Sequence, residues 1–231
     1  MNNKLLLAGV LMLGASNLYG LDMAEKSLFK AIRENRPSRV VELLKENVNP
    51  NITTAKTERT PLYLAVTYGD VKVVKDLLEH GANPNLKDRL GDYPLTWVAH
   101  ATVVSAPKRI QITKDLLKHG ADPNVKDRYG RTPLSWAVAN GNTQIIKDLL
   151  ELDANPNIKD DNGDYPLTLA CREGNANIVY DLLKHGSLSL VTNGNSLEAF
   201  NRWKVNDHRG FKEVIDRLKK DGIDTKKLKL F

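Results

Sequence analysis

Five histidines and one cysteine are the residues of this chain best suited to bind a metal or attack a substrate. His80, His119 and His185 each stand directly before a glycine, and no two histidines have the His-x-x-x-His spacing of a helical metal site. At the end of a helix, a histidine favours the negative end of the helix dipole. The pattern therefore predicts a structural role for these histidines and no metal ion.

Cys171 has no second cysteine with which to form an internal disulfide or a zinc cluster. A nucleophilic thiolate would need a neighbouring cation or base. Arg172 is adjacent in sequence, but consecutive residues of a helix point to different sides. We expect Cys171 to pack in the core as a small hydrophobic residue.

The familiar motifs of nucleotide binding and acyl transfer are missing from the sequence, which has no phosphate loop, no Rossmann glycine pattern and no Gly-x-Ser-x-Gly. Residues 160–164 (Asp-Asp-Asn-Gly-Asp) lack the acidic spacing and the closing Glu of a calcium loop. We therefore predict no catalytic residue, no cofactor and no metal. The competing hypothesis is an active site built across several elements, with Cys171 or His100 in it.

The elements that must position all these residues are repeated along the chain. Pro-Leu pairs begin at Pro61, Pro94, Pro133 and Pro166, at steps of 33, 39 and 33 residues. Leu-Leu pairs and Asn/Asp-Pro-Asn triplets keep the same steps. Because three independent landmarks recur together, the sequence predicts an array of repeats.

Each repeat predicts two short helices and a turn. Thr132-Pro133 is a favourable helix start, since threonine caps well and proline suits the first helical position. Apolar residues then recur at helical spacing through two segments. The second segment ends at Asp153, where the other repeats have Gly or Asn, which also tolerate a left-handed backbone. Lys-Asp-x-x-Gly, as in 126–130, predicts the turn between repeats.

This pattern resembles the ankyrin repeat family, whose unit of about 33 residues combines a β-turn with two helices. Residues 131–137 (Arg-Thr-Pro-Leu-Ser-Trp-Ala) match the family motif Thr-Pro-Leu-His-x-Ala, except that Ser135 replaces His. The resemblance covers about residues 24–193. It implies an all-α ankyrin-repeat solenoid of helix–turn–helix units with β-turn fingers, in which four well-formed repeats are flanked by degenerate caps.

The expected domain organisation follows the repeats. We assign residues 21–56 to an N-terminal capping repeat, 57–193 to the ankyrin repeats and 194–231 to a divergent C-terminal capping repeat with a basic tail. The 39-residue step places six extra residues within 99–111, between the two helices of one repeat, with Ser105 as the expected cap of a longer helix. An insertion in a loop costs little conformational entropy, and such loops also often carry function. A neutral insertion and a functional one therefore both remain possible interpretations.

Residues 1–20 have the order of a secretory signal peptide: Lys4, an apolar run, and then small and polar residues. The apolar run is about half of the roughly 20 residues that a membrane-spanning helix needs. We expect cleavage after Gly20, no stable membrane insertion afterwards, and a periplasmic or secreted protein of an exported bacterial type. An uncleaved anchor and a buried helix are the alternatives.

The formal net charge of +6 is concentrated near the C-terminus, where residues 195–231 hold ten Lys or Arg and six Asp or Glu. A nucleic-acid binder usually carries its positive charge on the binding face, so we expect no nucleic-acid partner. The lysine cluster of 219–229 is expected to be a solvated surface. The alternative is that it docks electrostatically to an anionic surface.

The resemblance implies that the turn tips and the exposed side of the first helices form a concave recognition face. Carried over by motif position, the partner-binding residues are Tyr68, Arg89, Leu90, Asp92, Arg128, Tyr129, Arg131, Asp161, Asn162, Asp164, Arg172 and Glu173. The predicted function is non-enzymatic binding of another protein by a chain that is monomeric alone. A narrower hypothesis is an accessory or inhibitor of an exported enzyme.

Overall fold

The computed structural model describes residues 22–187 and 194–229. The regular elements within those ranges are helices, and no strand occurs in them. The predicted signal peptide, residues 1–20, lies outside the described residues. The chain forms two compact units, Met1–Asp122 and Pro123–Phe231. The all-α class predicted from the sequence is confirmed.

The first unit contains three helical pairs. They are α1 (Met23–Arg33) and α2 (Pro37–Lys45), α3 (Pro61–Tyr68) and α4 (Val71–Glu79), and α5 (Pro94–His100) and α6 (Ala106–Lys118). The first helix of each pair contacts the first helix of the next pair, and the second helices contact one another in the same way. The apolar residues of both layers are thereby buried between successive pairs.

The second unit continues the pairing. Its helices are α7 (Pro133–Ala139) and α8 (Thr143–Glu151), α9 (Pro166–Glu173) and α10 (Ala176–Lys184), α11 (Gly194–Asn206) and α12 (His208–Lys220), and the short α13 (Lys226–Lys229). The first helix α9 lies between α7 and α11, and the second helix α10 contacts α12. Phe200, Trp203 and Phe211 close this end with ring centroids 5.7 to 5.9 Å apart.

Two different side-chain arrangements begin the first helices. Thr132 caps α7, because its side chain accepts a hydrogen bond from the backbone N–H of Ser135 at 3.2 Å. Where tyrosine stands in place of the capping threonine, its backbone N–H is the donor, and the side chain three residues later is the acceptor. Tyr93 donates its backbone N–H to Oγ1 of Thr96 at 2.9 Å. The departures from the family motif therefore still leave the helix starts capped.

The repeated histidines have the structural position that their spacing predicts. His80, His119 and His185 are the C-terminal caps of α4, α6 and α10. Nδ1 of each ring lies 2.7 or 2.8 Å from the carbonyl oxygen of the residue four positions earlier, within hydrogen-bonding range. The same carbonyl oxygen also accepts the backbone N–H of the histidine at 3.2 Å, so the ring adds a second contact to a carbonyl group in the last turn of the helix.

The insertion adds one turn to a second helix. The helix α6 has 13 residues, whereas α4, α8 and α10 have nine each. Ser105 is its N-cap residue, as predicted, although its side chain makes no capping hydrogen bond. The preceding loop buries Val104, which is 5% exposed and packs against Gly69. The loop is thus held on the turn between α3 and α4.

Candidate functional site

A buried aspartate organises the turns that precede α5, α7 and α9. In the second unit, Oδ1 of Asp160 accepts the backbone N–H groups of Asn162 and Asp164, both at 3.0 Å. Its Oδ2 accepts a hydrogen bond from Nε of Arg131 at 3.3 Å, and its side chain is fully buried. Asp127 accepts two N–H groups of its own turn in the same way. These bonds fix the backbone of the tip.

The turn of the first unit is built on Asp88 by the same rule. Its Oδ1 accepts the backbone N–H groups of Leu90 and Asp92, at 2.9 and 3.1 Å. Arg59 of the preceding repeat donates from Nε to Oδ2 at 3.1 Å. The arginine therefore ties one turn to the next through a carboxylate that is almost completely buried.

The tips that these aspartates support expose large side chains. Leu90 and Tyr129 are each 49% exposed. The Arg128 guanidinium lies over the Tyr129 ring, 4.8 Å from its centroid. The exposed predicted residues at the tips are Arg89, Leu90, Arg128, Tyr129, Asp161 and Asn162, whereas Asp92 is half-buried. The structure therefore presents an aromatic residue beside an arginine on a backbone that is already ordered, a combination common in interfaces.

Two of the predicted binding residues are engaged inside the repeats. Asp164 is 7% exposed, and its Oδ2 accepts a hydrogen bond from Nη1 of Arg172. Arg131 places its guanidinium 4.6 Å from the ring centroid of Trp136 and pairs with Asp160. Asp164 is therefore buried and not exposed at the turn tip, because its carboxylate turns back to the helix of its own repeat. Its role in partner binding stays a prediction.

The first-helix residues Arg172 and Glu173 are exposed at the end of α9. They line a cleft of about 550 Å³ whose opposite side is formed by α11. Glu198 and Arg202 of α11 line the same cleft and form an ion pair at 3.2 Å. The sequence did not indicate these two residues, because the repeat motif is lost in the capping repeat and no position could be carried over.

Cys171 lies on the inner side of this cleft and is 4% exposed. Burial raises the pKa of its thiol to about 12. The thiol is therefore protonated at neutral pH, which does not suit a nucleophile. The predicted core position of Cys171 is confirmed.

Among residues 22–187 and 194–229, no group of three or more His, Cys, Asp or Glu side chains is arranged to hold a metal ion. Within the same ranges, every helix is too short or too polar to cross a bilayer.

Sequence comparisons agree with the helical pairs. The family profile "Ankyrin repeats (3 copies)" matches residues 100–193, and "Ankyrin repeat" matches residues 57–89; together the two cover more than half of the chain. A palmitoyltransferase, AKR1, from Lachancea kluyveri is 42% identical over 57 residues, which are 25% of this chain and 8% of that protein. An ankyrin repeat protein of Fowlpox virus, FPV230, is 34% identical over 67 residues, 29% of this chain and 36% of that protein.

The similarity to these two relatives covers well under two thirds of either protein. The match to the palmitoyltransferase is too short to carry over that protein's activity. The family profiles, the repeated helix pairs and the turn hydrogen bonds all agree. The chain belongs to the ankyrin repeat family, whose fold is typically non-enzymatic and generally mediates protein–protein interaction.

Proposed function

We propose that this protein is a non-enzymatic module that binds another protein through its turn tips and the exposed residues of its first helices. The observation that carries the proposal is the tip of residues 128–130 in the second unit. Tyr129 is 49% exposed there, with Arg128 stacked on it. Solvation alone would favour a small polar side chain at this position.

The backbone of the tip is held by hydrogen bonds before any partner binds, which lowers the entropic cost of binding. The buried carboxylate of Asp127 accepts the N–H groups of Tyr129 and Arg131 at 2.8 and 2.9 Å. The next tip is joined to it, since the Asp161 N–H donates to the Tyr129 carbonyl oxygen at 3.1 Å. A partner therefore meets a surface whose conformational entropy has already been lost on folding.

The charge of the exposed tips changes along the chain. Within the second unit, Arg128 and Tyr129 form one exposed tip, and Asp161 and Asn162 form the next. A partner with an acidic group opposite Arg128 and a basic group opposite Asp161 would match this order. Charge complementarity of this kind favours one orientation of the partner over the reverse.

Site-specific photo-cross-linking tests the proposal. A benzoylphenylalanine at position 129 is expected to cross-link the natural partner in cells that produce the protein. The same amino acid at Glu151, an exposed residue at the end of the second helix α8, is the control and is expected to give no such product. Cross-linking of the same partner from position 151 but not from 129 would contradict the proposal.

We propose further that the mature protein is exported and begins after Gly20, as the order of residues 1–20 suggests. Cell fractionation followed by mass spectrometry of the intact chain tests this. The expected result is a chain that begins at Leu21 in the periplasmic or secreted fraction. A cytoplasmic chain that retains residues 1–20 would contradict it. Whether the partner is an exported enzyme would follow from its identity.

A second candidate function uses the basic face of α12. Arg209, Lys212 and Lys220 line an open groove of about 450 Å³ on this helix. Glu213 and Asp216 line the same groove, so its positive charge is partly offset. Docking to an anionic surface through this face would weaken steeply as salt increases, whereas binding that does not change with salt would exclude it.

A further inference from the structure

A separate cleft of about 440 Å³ lies in the first unit. It forms where the turn between α1 and α2, the turn between α3 and α4, and the first turn of α6 come together. Ile32, Pro37 and Tyr68 contribute an apolar and aromatic part of its lining. Apart from Tyr68, the predicted binding residues do not contribute to this cleft.

Positive charge predominates in this cleft. Arg33 comes from the end of α1, Lys72 from the first turn of α4 and Lys108 from the first turn of α6. Asp70 also lines the cleft, but its Oδ1 already accepts the backbone N–H of Val73 at 3.1 Å as the cap of α4. Among the described residues, neither Lys72 nor Lys108 is in an ion pair, although Lys72 is close enough to Asp76 to act on it electrostatically. Both lysines are exposed and can meet a ligand.

The insertion supplies one of these three cations. The last nine residues of α6, 110–118, correspond to the nine residues of α4, so the added turn is residues 106–109. Lys108 lies in that added turn. The insertion also places Val104 against Gly69, where a Cβ atom would lie 2.8 Å from Cγ1 of Val104. The added turn is therefore fixed beside Asp70 and Lys72.

Tyr68 links the cleft to a wider positive region. Burial raises the pKa of its phenol, while the charges of Arg33 and Arg59 oppose that rise. The hydroxyl is therefore protonated at neutral pH and can donate a hydrogen bond to an anion. Two guanidinium groups are close enough to Tyr68 to act on it electrostatically.

We propose that this cleft binds the carboxylates of an acidic peptide segment. The cations come from three different helices and line a volume much larger than one small anion, which fits several carboxylates along a chain better than one phosphate ion. The apolar part at Ile32 and Pro37 suits the methylene groups of glutamate side chains. This site is independent of the turn tips, so it holds whether or not the tips bind a partner.

The test is a titration of the ¹⁵N-labelled full chain with a hexaglutamate peptide at low ionic strength, followed by NMR. Saturable shifts are expected at the amides of Arg33, Tyr68 and Lys108. The double variant Lys72→Glu/Lys108→Glu is expected to weaken binding about tenfold or more, because two attractive charges become repulsive. Its melting temperature is expected to be unchanged, since both lysines are exposed.

The matched control is Lys56→Glu/Lys87→Glu, which makes the same change in net charge at two exposed loop residues of the same unit. It is expected to keep the affinity within about twofold. An equal loss in both double variants would overturn the proposal, because only net charge would then matter. Equal affinity for inorganic phosphate at the same amides, or no saturable shift, would also overturn it.

Discussion

Asp160 in a turn and Asp181 in the second helix α10 are both largely buried aspartates of the second unit, with 4% and 8% exposure. Asp160 accepts two backbone N–H groups and one arginine Nε–H. At Asp181, burial raises the pKa of the carboxyl group, although four basic residues oppose the shift, namely Lys147, Arg217, His185 and Lys184. In the turn, the aspartate therefore orders the backbone, whereas in the second helix burial disfavours its charged form.

The first unit repeats this contrast. Asp88 accepts the N–H groups of its turn and the Nε–H of Arg59. Asp76, in the second helix α4, has a raised pKa because of burial, and its Oδ2 has no hydrogen-bond partner among the described residues. A buried carboxylate stabilises a repeat only where several donors converge on it, and here that happens in the turns that carry the exposed tips.

The largest expected effect comes from removing the turn carboxylate. Asp160→Ala leaves two N–H groups and a partly buried arginine without their acceptor, so the free energy of unfolding should fall by about 3 kcal/mol. Chemical denaturation measures the loss. Asp161→Ala, at the exposed neighbouring residue, is the control and should change it by less than about 0.5 kcal/mol. Equal effects would remove the distinction between the two aspartates.

Two glycines extend the comparison to another repeated position. Gly69 and Gly174 end α3 and α9 with φ values of 67° and 69°. A Cβ at Gly69 would meet Val104 of the insertion, whereas nothing lies within 4 Å of one at Gly174. Gly174→Ala should therefore lower the unfolding free energy by about 1 kcal/mol and Gly69→Ala by about 2 kcal/mol. Thermal unfolding would show equal losses if the loop were not packed there.

Substituting the two arginines that bond to the turn aspartates should cause smaller losses of unfolding free energy, and the two losses should differ from each other. Arg131→Ala removes a bond to a fully buried acceptor and the contact with the Trp136 ring, so about 1.5 kcal/mol should be lost. Arg172→Ala should cost less than about 1 kcal/mol, because its side chain is 49% exposed and water can replace it. A larger loss from Arg172→Ala in denaturation experiments would reverse this ranking.

The smallest effect is expected at the second-helix aspartate and has the opposite sign. A pKa raised in the folded state means that the protonated carboxyl favours folding and that this contribution is lost as pH rises through the folded pKa. Asp181→Asn should therefore slightly raise stability at pH 7. The gain should disappear as pH approaches 3.8, the ordinary pKa of the group. A gain that is constant with pH would show that ionisation is not its cause.

Much of the fold follows from local sequence signals. The Pro-Leu pairs mark the starts of four helices, and the 39-residue step locates the longer helix α6. The site is less predictable, because motif position gives where a residue lies but not what its side chain contacts. Asp164 has the same motif position as Arg131, yet it bonds to Arg172 of its own repeat. The added turn at Lys108 likewise gains its neighbours only when three repeats pack together.

The central claim is that the ordered tip of Arg128 and Tyr129 binds the partner. Arg131 is unsuitable for this test, since its removal also disturbs the turn. The decisive measurement is the affinity of the double variant Arg128→Ala/Tyr129→Ala for the partner identified by cross-linking. The affinity of the double variant is expected to be at least about thirtyfold lower than that of the parent protein. Its unfolding free energy is expected to stay within about 0.5 kcal/mol of the parent value. Unchanged affinity with unchanged stability would contradict it.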